Sequence, residues 1–472
     1  MEVLCSRCRE FEKPITCFVL ESGPCSICKE RATIRDQIKQ LEDEIAKLKA
    51  KHETLTTPMN AIHDPFIHKL PPEIGSHIFR LSLPTLSNEE NLEAVLKPWD
   101  DMDSAKILRL GGVCRMWRQL AWATPDLWDT LYLRTETWTR SSESEFETLA
   151  ELLPDLVREW LERSGSMPLT IFFNEYTDAF EDDSGDDTVE VAIGLIIEIL
   201  NLHSRRWQIL KLTVTTIDTF RRFSGCRVQP NQLVGLGLWF TCQSSQPAAF
   251  MMESELTPTH LALNFPLSNI RWDNITHLTA KYNRTAEGCI DVLRRAPSLE
   301  YYEFSIYRPC EVSFRESILH PRLRSLRLST NCDIEGILGV VNLPSLEEWT
   351  HNIRSGPLPV AAMLSLFKRS GCHLKVLHFT NFRIDSKGLN TLLQAIPSLE
   401  RIRLSFDRSP RVRTVMDGIL ARIFCPPPGG SDISGEDSAP NSFLPRLQFM
   451  ECTTISEAYA PFSWHRIPSL YR

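Results

Sequence analysis

The sequence predicts a mixed α and α/β fold, in which short helical modules come first and an irregular solenoid of parallel strands follows. Three patterns support this prediction. Five cysteines crowd into the first 28 residues, apolar residues then recur at heptad spacing, and a unit of the form apolar-x-x-apolar-x-apolar recurs from residue 128 onward. A chain of 472 residues is long enough for several folding units.

The composition limits the partners and the compartment of the chain. The hydrophobic share of 42% and the charged share of 24% are ordinary for a globular protein. A net charge of −8 with a pI near 5.9 argues against nucleic acid as the main partner. No apolar run approaches the ~20 residues of a membrane span, and the first residues lack the order of a secretory signal. We therefore expect reduced cysteines, no membrane partner, and a location in the cytoplasm or nucleus.

The first predicted module, residues 1–32, is a Cys-rich segment. Its pattern is Cys5-x2-Cys8, a spacer of 16 residues, and Cys25-x2-Cys28. Two such pairs can turn four thiolates toward one point, which gives the tetrahedral shell of a structural zinc ion. A segment this short cannot bury its own core, so it needs a metal to be ordered. We expect one zinc ion and no other cofactor, and the alternative is a mobile tail with incidental thiols.

Residues 33–57 are predicted to form a coiled-coil helix. Alternating steps of four and three residues separate its core residues, which are Ile34, Ile38, Leu41, Ile45, Leu48, His52 and Leu55. Isoleucine at one core position and leucine at the other favours a parallel pair of helices. We therefore expect a homodimer through residues 34–55, and the alternative is a helix that packs on its own chain. The stretch Thr56-Thr57-Pro58 is expected to end the helix.

A small helical unit is predicted next. Pro71 and Pro72 stand where a helix tolerates proline, in the first turn. An apolar stripe follows, formed by Ile74, Ile78 and Leu81 with Phe79 beside it. A second amphipathic segment spans residues 107–128, with a stripe formed by Val113, Met116, Trp117 and Leu120. A unit of two or three short helices has an incomplete core, so it leaves apolar surface for a partner to cover.

The stretches LPPEIGSHIF and VCRMWRQLAWATPDLW resemble the two halves of an F-box over residues 64–130. The whole order of modules resembles the F-box proteins of mushroom-forming fungi. The resemblance implies that this unit docks onto the Skp-type adaptor of a cullin-based (SCF-type) ubiquitin ligase. The positions that match the motif are Leu70, Pro71, Ile74, Ile78, Phe79, Val113, Cys114, Trp117 and Leu120. The alternative is an ordinary helical hairpin that covers the neighbouring domain.

Residues 131–472 are predicted to form an irregular leucine-rich-repeat solenoid with parallel strands. Good copies of the repeated unit begin at residues 299, 323, 346, 374 and 399, a spacing within the ~20–29 residues of leucine-rich repeats. Alternating apolar residues form a short strand with one buried face, and the chain must return before the next strand begins. The composition of residues 425–441 cannot bury a core, so we expect a disordered surface loop there.

The residues between the buried positions of these strands are the candidate target-binding residues. In LRSLRL, LKVLHF and LERIRL the inward residues leave Arg327, His378 and Arg403 pointing outward. We expect these three side chains on the concave face of a curved sheet, where they would bind an acidic segment of a protein target that the sequence does not identify. The alternative is that they are solvated strand residues.

No motif of catalysis occurs in the sequence. A nucleotide-binding loop, G-x-S-x-G, H-E-x-x-H and kinase signatures are all absent, so we do not expect an enzyme. The resemblance implies a substrate-recognition subunit that binds the adaptor, and through it a cullin, at one end and a target at the other. The alternative is a leucine-rich scaffold that dimerises through its coiled coil and has no ligase role.

Overall fold

A computed structural model describes most of the chain from Ser26 to Thr454. The described residues are 26–63, 70–83, 105–135, 143–175, 187–225, 233–241, 248–249, 256–265, 267–268, 270–281, 285–308, 316–354, 358–382, 386–406, 412–424 and 443–454. The chain divides into two compact units, Met1–Ile78 with Gly112–Leu120, and Phe79–Gly111 with Ala121–Arg472. The predicted loop at residues 425–441 lies outside the described residues.

The predicted coiled-coil segment is one long helix, α1, with wider bounds than expected. It spans Ser26–His63 and therefore includes Cys28 and the whole segment 33–57. The prediction that Pro58 ends the helix is wrong, because Pro58 lies inside it. A proline removes one backbone hydrogen bond and crowds the carbonyl four residues earlier, but a long helix can continue past such a point.

Three short helices make up the next segment: α2 Pro72–Ser82, α3 Ala105–Val113 and α4 Arg115–Trp122. The helix α2 begins at the second proline, as predicted. The expected single segment at 107–128 is instead divided at Cys114. The Trp117 N–H donates to Cys114 Sγ at 3.4 Å and the Arg118 N–H donates to Cys114 O at 3.0 Å. Cys114 therefore caps the N-terminus of α4, a place that serine or aspartate usually takes.

Twelve described strands form one parallel sheet in which each strand pairs with the next in chain order. The strands are β1 Thr130–Arg134, β2 Leu169–Asn174, β3 Trp207–Val214, β4 Gly235–Phe240, β5 His260–Leu263, β6 His277–Ala280, β7 Tyr301–Ile306, β8 Ser325–Thr330, β9 Glu348–Ile353, β10 Val376–Phe382, β11 Arg401–Phe406 and β12 Phe449–Thr454. Parallel neighbours need a crossover connection, so each strand and its return form one repeated unit.

Helices occupy many of these returns. They are α5 Glu143–Arg163, α6 Asp187–Leu202, α7 Ile217–Arg222, α8 Ala286–Arg295, α9 Glu335–Val340, α10 Val360–Ser370, α11 Ser386–Gln394 and α12 Val412–Phe424. The helix α11 buries Leu389, Leu392 and Leu393.

The predicted register of the strands is confirmed from β7 to β11. Leu326, Trp349 and Leu377 lie opposite one another on adjacent strands, and all three are buried. His351 takes an apolar position of the same pattern, between Leu328 and Phe379. Its ring is buried and shares a 2.8 Å hydrogen bond between Nε2 and Thr330 Oγ1.

Both faces of the sheet are buried from β2 to β4. One face of these strands carries the buried leucines of the repeated unit. On the opposite face a second buried cluster brings together Phe172, Ile209, Trp239 and Ala262. The stretches LTIFFN and GLGLWF are almost continuously apolar, and such strands are typical of sheets that are covered on both sides. The alternation that places polar residues outward therefore holds for the later strands and not for these.

A tryptophan joins the end of the short helices to the start of the sheet. Trp128 is fully buried, and its Nε1–H donates to Ala121 O at 2.8 Å. Its ring packs edge-on against Trp160 with centroids 4.8 Å apart, and the Arg163 guanidinium lies 4.7 Å from its centroid. These contacts join Ala121, Trp128 and α5 within one compact unit.

Candidate functional site

The helices α2 and α4 approach closely at Gly75. This glycine is buried, and a Cβ built on it would lie 2.7 Å from Leu120 Cδ2. From the sequence alone, Gly75 is expected only to destabilise its helix, since glycine is about 1 kcal/mol less favourable than alanine inside a helix. In the structure Gly75 leaves room for the Leu120 side chain, which would have to move for any larger residue at this position.

A large side chain at position 75 is expected to separate the two helices. Gly75→Phe should lower the free energy of unfolding by about 1–3 kcal/mol, the usual cost of overpacking. The matched control is Gly112→Phe, because a Cβ at Gly112 would meet nothing within 4 Å. Denaturant unfolding of the two full-length variants measures the difference. Equal stabilities would show that the close approach at Gly75 is unimportant.

The nine predicted adaptor-binding residues differ in their accessibility. Ile74 and Val113 are 46% and 56% exposed, and Pro71 is also exposed. The half-buried members are Leu70, Ile78, Cys114, Trp117 and Leu120. Met116, three residues after Val113, is 41% exposed. We use the name docking face for Ile74, Val113 and Met116, three exposed apolar residues in the segment that carries the predicted adaptor-binding positions.

Phe79 differs from the other eight residues. It is 1% exposed, so it is a core residue and cannot contact an adaptor in this conformation. Its neighbour Arg80 lies outward and forms an ion pair with Asp126, at 2.8 Å between Nη1 and Oδ2. Phe79 therefore has a packing role in this conformation, and its contact with an adaptor stays a prediction.

Comparison with known families agrees with this geometry. Residues 67–134 match the family of F-box-like domains. The chain carries an F-box-like domain. The match extends from the start of α2 through α4 to the end of β1, so it includes both half-motifs. No curated protein matches the chain in sequence. None of the helices that the structure describes is long and apolar enough to cross a membrane.

The zinc prediction falls mainly outside the described residues. Cys5, Cys8 and Cys25 are not among them, and Cys28 lies in the first turn of α1. Within the described part of the chain, no group of three or more His, Cys, Asp or Glu side chains is placed to hold a metal ion. The zinc site therefore stays a prediction.

Burial keeps two cysteines of the sheet domain, Cys289 and Cys452, in their less reactive protonated form. Burial raises the pKa of the Cys452 thiol to about 12 and raises the pKa of the fully buried Cys289 thiol as well. The thiolate is the reactive form of cysteine, and a raised pKa keeps the thiol protonated at neutral pH.

The three predicted target-binding residues lie on one register row of the sheet, from β7 to β12. We call it the charged row, and its members are Glu303, Arg327, Thr350, His378, Arg403 and Glu451. Arg403 is exposed, while Arg327 and His378 are half-buried. Leu326 and Leu404 beside them are buried, so the predicted outward orientation of these side chains is correct.

The charges along this row have both signs. Arg403 Nε lies 2.8 Å from Glu451 Oε2, and the Arg327 guanidinium lies 5.1 Å from the centroid of the Tyr301 ring. Burial lowers the pKa of His378, and the positive charge of Arg403 lowers it further. His378 is therefore neutral at physiological pH, and the row carries a glutamate at each end and two arginines between them, rather than a uniformly basic surface.

Two features of the sheet were missed by sequence reasoning. The rings of His260 and His277 stack with centroids 4.2 Å apart, and Tyr301 continues the stack at 5.8 Å. Asn264 bridges to the previous strand, because its Oδ1 accepts from the Phe240 N–H at 2.8 Å and its Nδ2 donates to Phe240 O at 2.7 Å. The repeated stretches PTHL and ITHL are the sequence signal for the stacked pair, since they place both histidines at the same register position.

Proposed function

We propose that the chain is the substrate-recognition subunit of an SCF-type cullin ubiquitin ligase. The F-box-like match at residues 67–134 carries this proposal. The docking face supports it, because Ile74, Val113 and Met116 are exposed apolar residues within the matched segment. A Skp-type adaptor would cover this face and connect the chain to a cullin. The chain itself supplies binding and no chemistry.

The mechanism that follows is positioning. A subunit that holds a target near a charged conjugating enzyme raises the effective concentration of the target lysines. Orientation of this kind can replace a slow bimolecular encounter with a fast reaction within one complex.

We further propose that the twelve-stranded sheet belongs to an irregular leucine-rich-repeat solenoid, because its strands pair in chain order and share one leucine-rich register.

The charged row is the proposed target surface. It lies on the polar face of β7 to β12, whereas the same face of β2 to β4 is occupied by the apolar cluster around Phe172 and Trp239. The sequence predicts an acidic target segment. With Glu303 and Glu451 flanking the arginines, the surface favours a target segment of mixed charge, in which acidic groups face Arg327 and Arg403.

Charge reversal on this row is expected to remove target capture without unfolding the protein. The variant Arg327→Glu/Arg403→Glu should change the free energy of unfolding by less than about 1 kcal/mol, because both side chains are at least partly solvated. The control is Arg322→Glu/Arg446→Glu, which changes the net charge equally at exposed positions off the row. The measurement compares proteins that become ubiquitylated in cells expressing each variant. An identical set of modified proteins for all forms would exclude this surface.

Adaptor binding distinguishes the ligase subunit from the alternative scaffold. The exposed apolar stripe of α1 is the observation that favours a scaffold, because such a stripe can join two chains without any adaptor. The full-length protein and a purified Skp-type adaptor should form an equimolar complex at micromolar concentrations in size-exclusion chromatography. Separate elution of the two proteins would remove the ligase role and leave the scaffold.

A further inference from the structure

The helix α1 presents an apolar stripe, interrupted at Arg31 and His52, that the described part of the chain leaves uncovered. The large apolar residues on it are between 49% and 74% exposed. They are Ile27, Ile34, Ile38, Leu41, Ile45, Leu48, Leu55 and Met59. All of them occupy the two core positions of one heptad register, which now runs beyond the predicted segment 34–55 at both ends. A helix with such a stripe is stabilised mainly by packing, so it needs a partner.

We propose that the partner is α1 of a second copy of the chain, aligned parallel and in register. In this arrangement isoleucines pair with isoleucines at the layers of Ile38 and Ile45, and leucines pair with leucines at Leu41 and Leu48. Isoleucine at the first core position and leucine at the second is the combination that favours two parallel strands. The layers of Arg31 and His52 are the weak ones, because they place polar side chains in the core.

The charges beside the stripe fit the parallel alignment. In a parallel pair, the residue just before each first core position of one helix faces the residue five positions later on the other helix. Glu30 faces Arg35 of the second copy, and Glu44 faces Lys49. Each of the two remaining pairs of flanking residues contains an uncharged side chain, so no pair is repulsive.

The same charges oppose one antiparallel alignment. A pair with Ile45 of one helix against Leu41 of the other brings Glu44 of each copy together and places Arg35 beside Lys49. A shift by one heptad, with Ile45 against Leu48, instead places Glu44 beside Lys51. Charge repulsion therefore opposes the first alignment only, and the choice of the parallel form rests on the isoleucine and leucine pattern.

The dimer would give each particle two docking faces and two target surfaces. A target with two binding segments would then be held by both copies, and linked binding of this kind can exceed either single affinity by about 10²–10⁴-fold. This consequence rests on the proposed function, whereas the dimer itself does not. The dimer and the ligase role can therefore fail separately. A protein that does not bind the adaptor can still be a dimer, and a monomeric protein can still bind the adaptor.

Sedimentation equilibrium of the full-length protein tests the pairing. The wild-type particle should have twice the 54.1 kDa mass of one chain at micromolar concentration. Ile38→Asp/Ile45→Asp should be a monomer with an unchanged sheet domain. The control Ala46→Asp/Ala50→Asp carries the same added charges on outer positions of the helix and should remain a dimer. A monomeric wild type, or a dimer that survives the Ile38→Asp/Ile45→Asp change, would overturn the proposal.

Charge exchange tests the orientation. In a parallel dimer Glu44→Lys and Lys49→Glu should each weaken self-association by about tenfold, because attraction becomes repulsion in both symmetric pairs. Mixing the two variants should restore wild-type affinity in a mixed dimer. An antiparallel dimer would behave differently, since no antiparallel alignment places position 44 of one copy opposite position 49 of the other, and mixing the two variants would not restore affinity. That result, or a failure of the mixed dimer to form, would overturn the parallel arrangement.

Discussion

We expect Val113→Asp to abolish binding of a Skp-type adaptor while the protein stays folded. This is the largest effect that we expect of any single substitution on the docking face. Val113 is 56% exposed, so a carboxylate there remains hydrated in the free protein and costs little stability. In the complex the adaptor would remove that water, and an unpaired buried carboxylate costs several kcal/mol. The dissociation constant should rise by at least ~100-fold.

Isothermal titration of the purified adaptor into wild type and variant measures this change. Val191→Asp is the matched control, because Val191 is a valine of similar exposure on α6. It should bind the adaptor as tightly as wild type does. If Val113→Asp and Val191→Asp bind alike, the adaptor does not use the docking face.

The stability of the sheet domain is expected to fall as the pH falls from about 6.5 to about 3. Burial lowers the pKa of His351 to about 3, and its Nδ1 has no hydrogen-bond partner among the described residues. In this pH range His351 is therefore protonated in the unfolded chain and neutral in the folded chain. Stability rises with pH wherever the unfolded state binds more protons than the folded state. The free energy of unfolding is highest above the pKa of histidine in the unfolded chain. Below that pKa it falls progressively, by about 2 kcal/mol at pH 5.

Replacement of His351 isolates this contribution. Denaturant unfolding of His351→Leu between pH 7 and pH 5 should show a weaker pH dependence than wild type. His320 is also buried with a lowered pKa, so part of the dependence should persist. His373→Leu, at an exposed position, is the control and should keep the wild-type dependence. An unchanged slope in His351→Leu would mean that the buried imidazole does not control acid stability.

The later half of the sheet could be predicted from sequence because its strands alternate strictly. Each apolar-x-x-apolar-x-apolar unit fixes which side chains are buried, and a shift by one residue would move leucines into solvent. The outward orientation of Arg327 and Arg403 follows from the same alternation. The mixed charge of the row could not be predicted, because it depends on Glu303 and Glu451, which meet the arginines only once the strands are paired.

The early strands and the helices were harder to predict for different physical reasons. A continuous apolar run such as LTIFFN does not say which face is covered, so the cluster around Phe172 appears only in the structure. The role of Gly75 depends on its distance from Leu120, which lies 45 positions away in the chain. Phe79 and Ile74 look equivalent as apolar residues of one helix, yet one is core and the other is surface.

The most direct test of the proposed ligase role is amide hydrogen exchange of the full-length protein with and without a Skp-type adaptor. The account predicts slower exchange in α2 and in α4, which carry Ile74 and Met116, and unchanged exchange in the strands β8 to β11. This pattern would place the adaptor on the docking face and leave the charged row available to a target. Protection confined to the strands, or no protection in α2 and α4, would contradict the account.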